Sequence, residues 1–291
     1  MDRVAAVRRF NRTVTQRVGA LDDHFLSLDR PLGEARLLWE IGEHGRDIRS
    51  LRSRLGLDSG YLSRMLRSLE QAALVEVAPS AADRRVRTAW LTARGRAEHE
   101  LLDARSDELA AALLAPLNPA QQERLVAAME EVERLLTAGM VETAVTDPDH
   151  PHARHCIAEY FAELGRRFET GLDPADSLPT EPEVLRPPHG LILVATLRGE
   201  PVGCGALRIY EQERPDIKRL WVDPRVRGLG LGRRLLSELE EEARSRGARA
   251  VRLDTNRSLV EAIAMYRAAG YEEVAAFNAE PVAHHWFEKR L

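Results

Sequence analysis

Cysteine, lysine and long apolar runs are all scarce in this 291-residue sequence, and each scarcity excludes something. Cys156 and Cys204 are the only cysteines, far apart and in no C-x-x-C pair, which excludes a disulfide framework and a cysteine-rich zinc site. Two buried thiols are the expectation. No run approaches the roughly 18 apolar residues of a membrane span, and the opening MDRVAAVRRFNR lacks the apolar core of a signal peptide. The chain is therefore expected in the cytoplasm, with no membrane partner. Lys218 and Lys289 are the only lysines, so almost every cation is an arginine, whose planar fork suits phosphate.

The length favours two domains, and a hydrophobic content of 44% can furnish a core for each. A formal net charge of −4 hides an uneven distribution, because residues 46–96 carry 11 arginines against 5 acids. That local excess is a candidate phosphate-binding surface.

The stretch Ile217 to Leu236, IKRLWVDPRVRGLGLGRRLL, organises the second half. A β-rich run ends at Val222, Asp223-Pro224 turns the chain, and the run from Arg225 to Gly232 leads into a helix from Arg233 to Arg246. Glycines at 228, 230 and 232 let backbone N–H groups approach a ligand, and the helix start adds a positive dipole end beside Arg225, Arg227, Arg233 and Arg234. A pyrophosphate suits that arrangement. The spacing fits neither the dinucleotide fingerprint G-x-G-x-x-G nor the phosphate-binding loop that ends in Lys-Ser/Thr.

The run R-x-x-G-x-G from Arg225 to Gly230, between strand and helix, resembles motif A of the GNAT acyltransferase superfamily. Strands over 191–197, 201–210 and 250–255, helices over 153–167 and 259–269, and β segments over 274–277 and 284–289 extend the likeness to about 153–291. The resemblance implies an acetyl-CoA cofactor held by Trp221, Val222, Arg227, Gly228, Leu229, Gly230, Leu231, Gly232, Arg233 and Asn256. It implies further that Tyr266, near the thioester sulfur, protonates the leaving thiolate. Backbone N–H around Trp221 and Val222 would polarise the carbonyl. For the general base the resemblance offers Asp216 at the strand start, with Glu211, Glu213 and a water chain as alternatives. The proline-rich and acidic stretch 171–190 reads as a long loop walling an acceptor pocket.

In the first half, Val4, Val7, Phe10, Val14, Val18, Leu21 and Phe25 form a stripe at helical spacing over 2–29. Helices follow over 33–43 and 48–55, the second capped by Asp47 and stopped by Gly56, and Asp58 or Ser59 starts a fourth over 60–72. Two short helices around a tight turn make a helix-turn-helix. Leu74 to Val77 and Val86 to Leu91 read as a β-hairpin with Asp83-Arg84-Arg85 at its tip, and long helices over 93–115 and 119–138 follow. The whole, over about 1–138, resembles the winged helix-turn-helix of the MarR family. That resemblance implies a homodimer on palindromic double-stranded DNA, touched by Ser59, Tyr61, Ser63, Arg64, Arg67, Arg84, Arg85 and Arg87.

Residues 139–152 lose periodicity and gain Pro, Asp and His, which puts the domain boundary there. His150, His152, His155 and Cys156 read as a linker entering a helix and not as a metal site, since no matching ligand set stands nearby. The fold class expected is thus a mainly α winged helix-turn-helix over 1–140 followed by an α/β (α+β) acyltransferase with a central mixed sheet over 153–291. The function expected is a DNA-binding regulator that transfers acetyl to an amine, small molecule or lysine. An acyl-CoA sensor without turnover, and a small-molecule acetyltransferase using the helical half as a dimer scaffold, are the alternatives.

Overall fold

The computed structural model describes residues 2–20, 26, 30–80, 84–168, 182–210 and 214–291, which fall into two compact units, Met1–Glu130 and Glu131–Leu291. Leu21, Phe25, Asp83, Glu211, Glu213 and the 171–181 part of the long loop lie outside the described residues.

In the first unit α1 (Arg3–Arg17) is capped by the Asp2 carboxylate, which accepts from the Val4 and Ala5 amides. Then come α2 (Leu32–Ile41), β1 (Arg46–Asp47), α3 (Ile48–Leu55) and α4 (Ser59–Gln71). The turn chemistry read from the sequence operates as expected: Asp47 accepts from the Ser50 amide at 2.8 Å, and Gly56 ends α3 at φ +63°. Asp58 accepts from the Tyr61 amide at 2.9 Å and so starts α4. β2 (Val75–Pro79) and β3 (Arg87–Leu91) pair antiparallel as the wing, with Val75 opposite Leu91 and Pro79 opposite Arg87. β1 adds a third strand to β3, too short to leave a pattern in the sequence. Thr92 caps α5 (Ala93–Leu114), and α6 (Pro119–Ala138) follows, with residues 131–138 counted to the second unit.

Leu37, Leu38, Leu51, Leu62, Leu69 and Leu74 fill the core of this unit, each worth roughly 1.5–3 kcal/mol of burial. α1 and α6 bury nothing. Val4, Val7 and Phe10 on the first, and Met129, Leu135 and Leu136 on the second, are exposed.

The second unit holds β4 (Val141–Thr146), α7 (Pro151–Arg167), β5 (Gly190–Leu197), β6 (Glu200–Arg208) and β7 (Asp216–Val222). α8 (Leu231–Ser245), β8 (Ala250–Thr255), α9 (Val260–Ala268), β9 (Glu272–Val274) and β10 (His285–Arg290) complete it. The sheet runs β4-β5-β6-β7-β8-β10-β9. All neighbours are antiparallel except β7 and β8.

β4 corrects the reading of 139–152 as linker. Val141-Glu-Thr-Ala-Val-Thr146 pairs with β5 along its whole length, and its β-branched residues carry that strand; the turn formers begin only at Asp147. His150 starts α7, its Nδ1 accepting from the His152 amide at 3.2 Å.

β5 is buried along most of its length, which means both sheet faces are covered. Leu191, Leu193 and Ala195 pack with Leu235, Leu236 and Leu239 of α8, whereas Ile192 and Val194 pack with Ala153 and Cys156 of α7.

Candidate functional site

Two local features open the sheet where the glycine loop sits. β7 and β8 run parallel yet register only at Asp216 and Arg252, so the strands part beyond that pair. β7 also carries a bulge against β6 between Cys204 and Ala206, and Arg219 within it adopts φ +55°. A β-branched or bulky residue at such a φ is rare, and functional sites are where that conformation concentrates.

A cleft of about 540 Å³ lies here, lined by Trp221 and Val222 of β7, by Gly228, Gly230 and Gly232, and by Tyr266 of α9. Asp223 caps the turn Pro224–Val226 through the Arg225 amide, which sends the chain into the loop. Gly228 and Gly230 both stand at φ +79°, the left-handed region open to glycine. A Cβ on Gly232 would press on Met265 Sδ at 3.3 Å. The glycines thus leave the backbone bare at positions 228 and 230 before α8 and at 232 in its first turn, as a phosphate cradle at a helix start requires.

The four arginines of this segment divide by role. Arg225 forks onto Asp223, with Nη2 at 2.6 Å from Oδ2, and Arg234 reaches the Val141 carbonyl at 2.8 Å and Thr143 Oγ1 at 3.1 Å. Neither lines the cleft, so both hold structure. Arg227 lines it while donating to the Val222 carbonyl and pairing with Glu163. Arg233 lines it and has no ion-pair partner among the described residues. Of the other residues expected at the cofactor, Leu231 lines the cleft, and Leu229 packs half-buried against the core.

Glu163 was not legible in the sequence. From α7 it accepts from Trp221 Nε1 at 3.0 Å, pairs with Arg227, and lies 3.7 Å from Arg167. Arg167 in turn binds Glu261 of α9 at 2.8 Å, joining the helices on either side of the cleft.

A second, smaller cleft of about 120 Å³ adjoins the first, and Tyr160, Leu164, Leu220, Leu259, Ala262 and Tyr266 line both. Tyr266 is 6% exposed, and burial holds its phenol above the ordinary value, with Tyr160 and Asp254 adding to that. A proton donor therefore sits where the two spaces meet.

Asn256 and Asp216 are both engaged within the chain. Asn256 lines the smaller cleft, and its amide is engaged within the chain: Nδ2 donates to the Val282 carbonyl at 2.7 Å, while Oδ1 accepts from the Ser258 amide and hydroxyl. It shapes the turn into α9. Asp216, the candidate base, is 2% exposed; its Oδ1 accepts from Arg252 Nε and its Oδ2 from the Tyr210 hydroxyl, each at 3.1 Å. Burial raises its carboxyl above the usual range in spite of Lys218 and Arg252. It lines the smaller cleft and ties β7 to β8 at the point where they part, each oxygen already accepting one hydrogen bond.

In the first unit, α4 buries Leu62, Met65, Leu66 and Leu69 and exposes Ser59, Tyr61, Ser63, Arg64 and Arg67. Arg64 stacks over the Tyr61 ring at 5.7 Å, and the Ser63 hydroxyl donates to the Ser59 carbonyl. Arg67, Arg85 and Arg87 line a concavity of about 520 Å³ between α4 and the wing, joined by Arg49, which the sequence reading had not singled out. Arg84 is exposed beside it. No helix of the described residues is long and apolar enough to cross a membrane.

Residues 157–271 match the model of the acetyltransferase (GNAT) family, and residues 27–86 match the MarR family. An IAA acetyltransferase from Azospirillum brasilense is 38% identical over 124 residues, covering 42% of this chain and 80% of that protein. An uncharacterised N-acetyltransferase from Escherichia coli is 31% identical over 134 residues, covering 45% and 80%. Among solved structures, a GNAT-family acetyltransferase from Staphylococcus aureus aligns with a TM-score of 0.44 at 15% identity, over 52% of this chain and 98% of that one.

Proposed function

The chain belongs to the GNAT acetyltransferase family and carries a MarR family region in its first half, and from that premise we propose that it couples acetyl transfer to DNA binding. The larger cleft seats acetyl-CoA, and the smaller one seats an amine. Tyr266, lining both, is the observation that carries this reading.

Bound there, acetyl-CoA supplies an activated acetyl thioester. Gly228, Gly230 and Gly232 present bare backbone to the pyrophosphate, and Arg233 offers its uncommitted guanidinium. Glu163 holds Trp221 and Arg227 in place. The Val222 amide polarises the acyl carbonyl. As the new nitrogen–carbon bond forms and the carbon–sulfur bond breaks, the Tyr266 hydroxyl gives its proton to the departing sulfur. The proton lost by the amine passes to the carboxylate side of the smaller cleft, where Asp254 and Glu280 stand.

α4 enters a major groove, with Arg64 and Arg67 on base edges or flanking phosphates, and Arg84 and Arg85 of the wing meet the backbone. The exposed apolar faces of α1 and α6 form the homodimer that a palindromic site requires. A thiol-release assay with acetyl-CoA across amino acids, polyamines and lysine peptides tests the enzymatic half. Release with at least one amine supports it; acetyl-CoA binding with no release from any amine would make the second unit a sensor.

A further inference from the structure

The charged residues that line the smaller cleft are Arg208, Lys218 and Arg219 against Asp216, Asp254 and Glu280. Lys218 pairs with Asp254, and Asp216 is taken up by Arg252. Two guanidiniums remain that line the cleft and have only aromatic company: Arg219 lies over the Phe161 ring at 4.8 Å, and Arg208 over the Tyr210 ring at 4.9 Å. No carboxylate of the described residues stands within ion-pair distance of either, in a chain where most half-buried arginines have one.

Ring stacking satisfies a face of a guanidinium and leaves its N–H fork free in the plane, which is the geometry that takes a carboxylate bidentately. Arg219 is held at φ +55° by the β7 bulge, so the strand is distorted at the residue that presents this cation. Burial works against its charge, and the nearby Glu280 favours it. An anion from outside would give the Arg219 fork the in-plane acceptor that ring stacking does not supply.

Resting on the acceptor reading of this cleft, we propose that the acceptor is a small amine that also carries an anionic group, a carboxylate in the first instance, which Arg219 and Arg208 bind while Asp254 and Glu280 face the ammonium. The cleft then selects a zwitterion, such as a free amino acid, over polyamines and over lysine side chains of proteins. Phe161, Phe168 and Tyr160 offer apolar walls for the rest of the molecule.

The test is a thiol-release assay on the full chain with matched sets: free amino acids, their carboxamides, the corresponding decarboxylated amines, aminophosphonates and a lysine peptide. The free acids should exceed their carboxamides by tenfold or more in kcat/KM, and aminophosphonates as good as the acids would make any anion sufficient. Arg219→Asn, which tolerates the left-handed backbone, and Arg208→Gln should each raise KM for the acid tenfold or more, leave KM for acetyl-CoA unchanged, and shrink the acid-to-carboxamide preference. Equal turnover of acid, carboxamide and decarboxylated amine would overturn the proposal and leave acetyl transfer standing. No release with any amine would remove both.

Discussion

The indole N–H of Trp221 donates to the Glu163 carboxylate at 3.0 Å, across a cleft wall made by β7 and α7. The same carboxylate pairs with Arg227 at the head of the glycine loop. One buried acid therefore fixes both the strand and the loop that face the larger cleft. Glu163→Ala should leave the indole N–H and the guanidinium without their acceptor and raise KM for acetyl-CoA more than it lowers kcat, by roughly tenfold for about 1.4 kcal/mol. Steady-state kinetics against acetyl-CoA would check it, and an unchanged KM would make Glu163 a packing residue.

Tyr266→Phe removes one hydroxyl at the junction of the clefts. Turnover should fall by roughly 10²–10⁴-fold with little loss of acetyl-CoA affinity, as for other general acids. Because burial raises its phenol above the ordinary value of about 10, the hydroxyl keeps its proton below that pH and loses it only as pH rises through the raised value. The parent's rate should rise with pH as the amine deprotonates and should show no decline before about pH 10. A rate within about twofold of the parent for the Phe variant would return Tyr266 to packing.

On DNA the two arginine groups should separate. Arg84→Ala should weaken binding to every duplex alike and reduce the salt slope by about one, since fewer counterions are released. Arg67→Ala, on the exposed face of α4, should cost about 1–3 kcal/mol at a selected site and little on random DNA. Titrations of labelled duplexes at several salt concentrations distinguish the two. A chain that binds no duplex would favour the helical half as a scaffold.

Glu40 is 3% exposed on α2 and binds Arg36 at 2.6 Å and Arg54 at 3.1 Å. Burial alone would raise its carboxyl, but the hydrogen bonds from Arg54 and Arg36 outweigh it and hold the group below its usual range. Its contribution is thus present above the unfolded value near 4.3 and lost as pH falls through the lowered folded value. Glu40→Gln should cost roughly 1.5–3 kcal/mol at neutral pH, and the gap to the parent should close in acid. Denaturant unfolding at neutral pH and below pH 4 would measure it; a gap independent of pH would contradict the assignment.

Elements fixed by local chemistry were readable from the chain. Asp47, Gly56 and Asp58 bound α3 and start α4 as read, because a cap acts within four residues of itself. The turn into α8 was readable for the same reason, with Gly228 and Gly230 at φ +79°, whereas Tyr266 was singled out only through the family resemblance. What depends on contact through space was not. Glu163 meets Arg227 from 64 residues away, Arg219 owes its left-handed backbone to a bulge against β6, and Asp216 is bound by Arg252 on a neighbouring strand. β4 did leave a signal in its Val and Thr residues, masked by the Pro, Asp and His that follow at once.

Gly230 probes the proposed binding of the acetyl-CoA pyrophosphate by the loop from Arg227 to Arg233. Its φ of +79° is closed to a β-branched side chain, while a Cβ there would meet nothing within 4 Å. Gly230→Val therefore disturbs the loop backbone without crowding the core. Calorimetric titration with acetyl-CoA should give a clear isotherm for the parent and none for Gly230→Val, whose circular dichroism stays that of the parent. Equal affinity in the two would contradict the account.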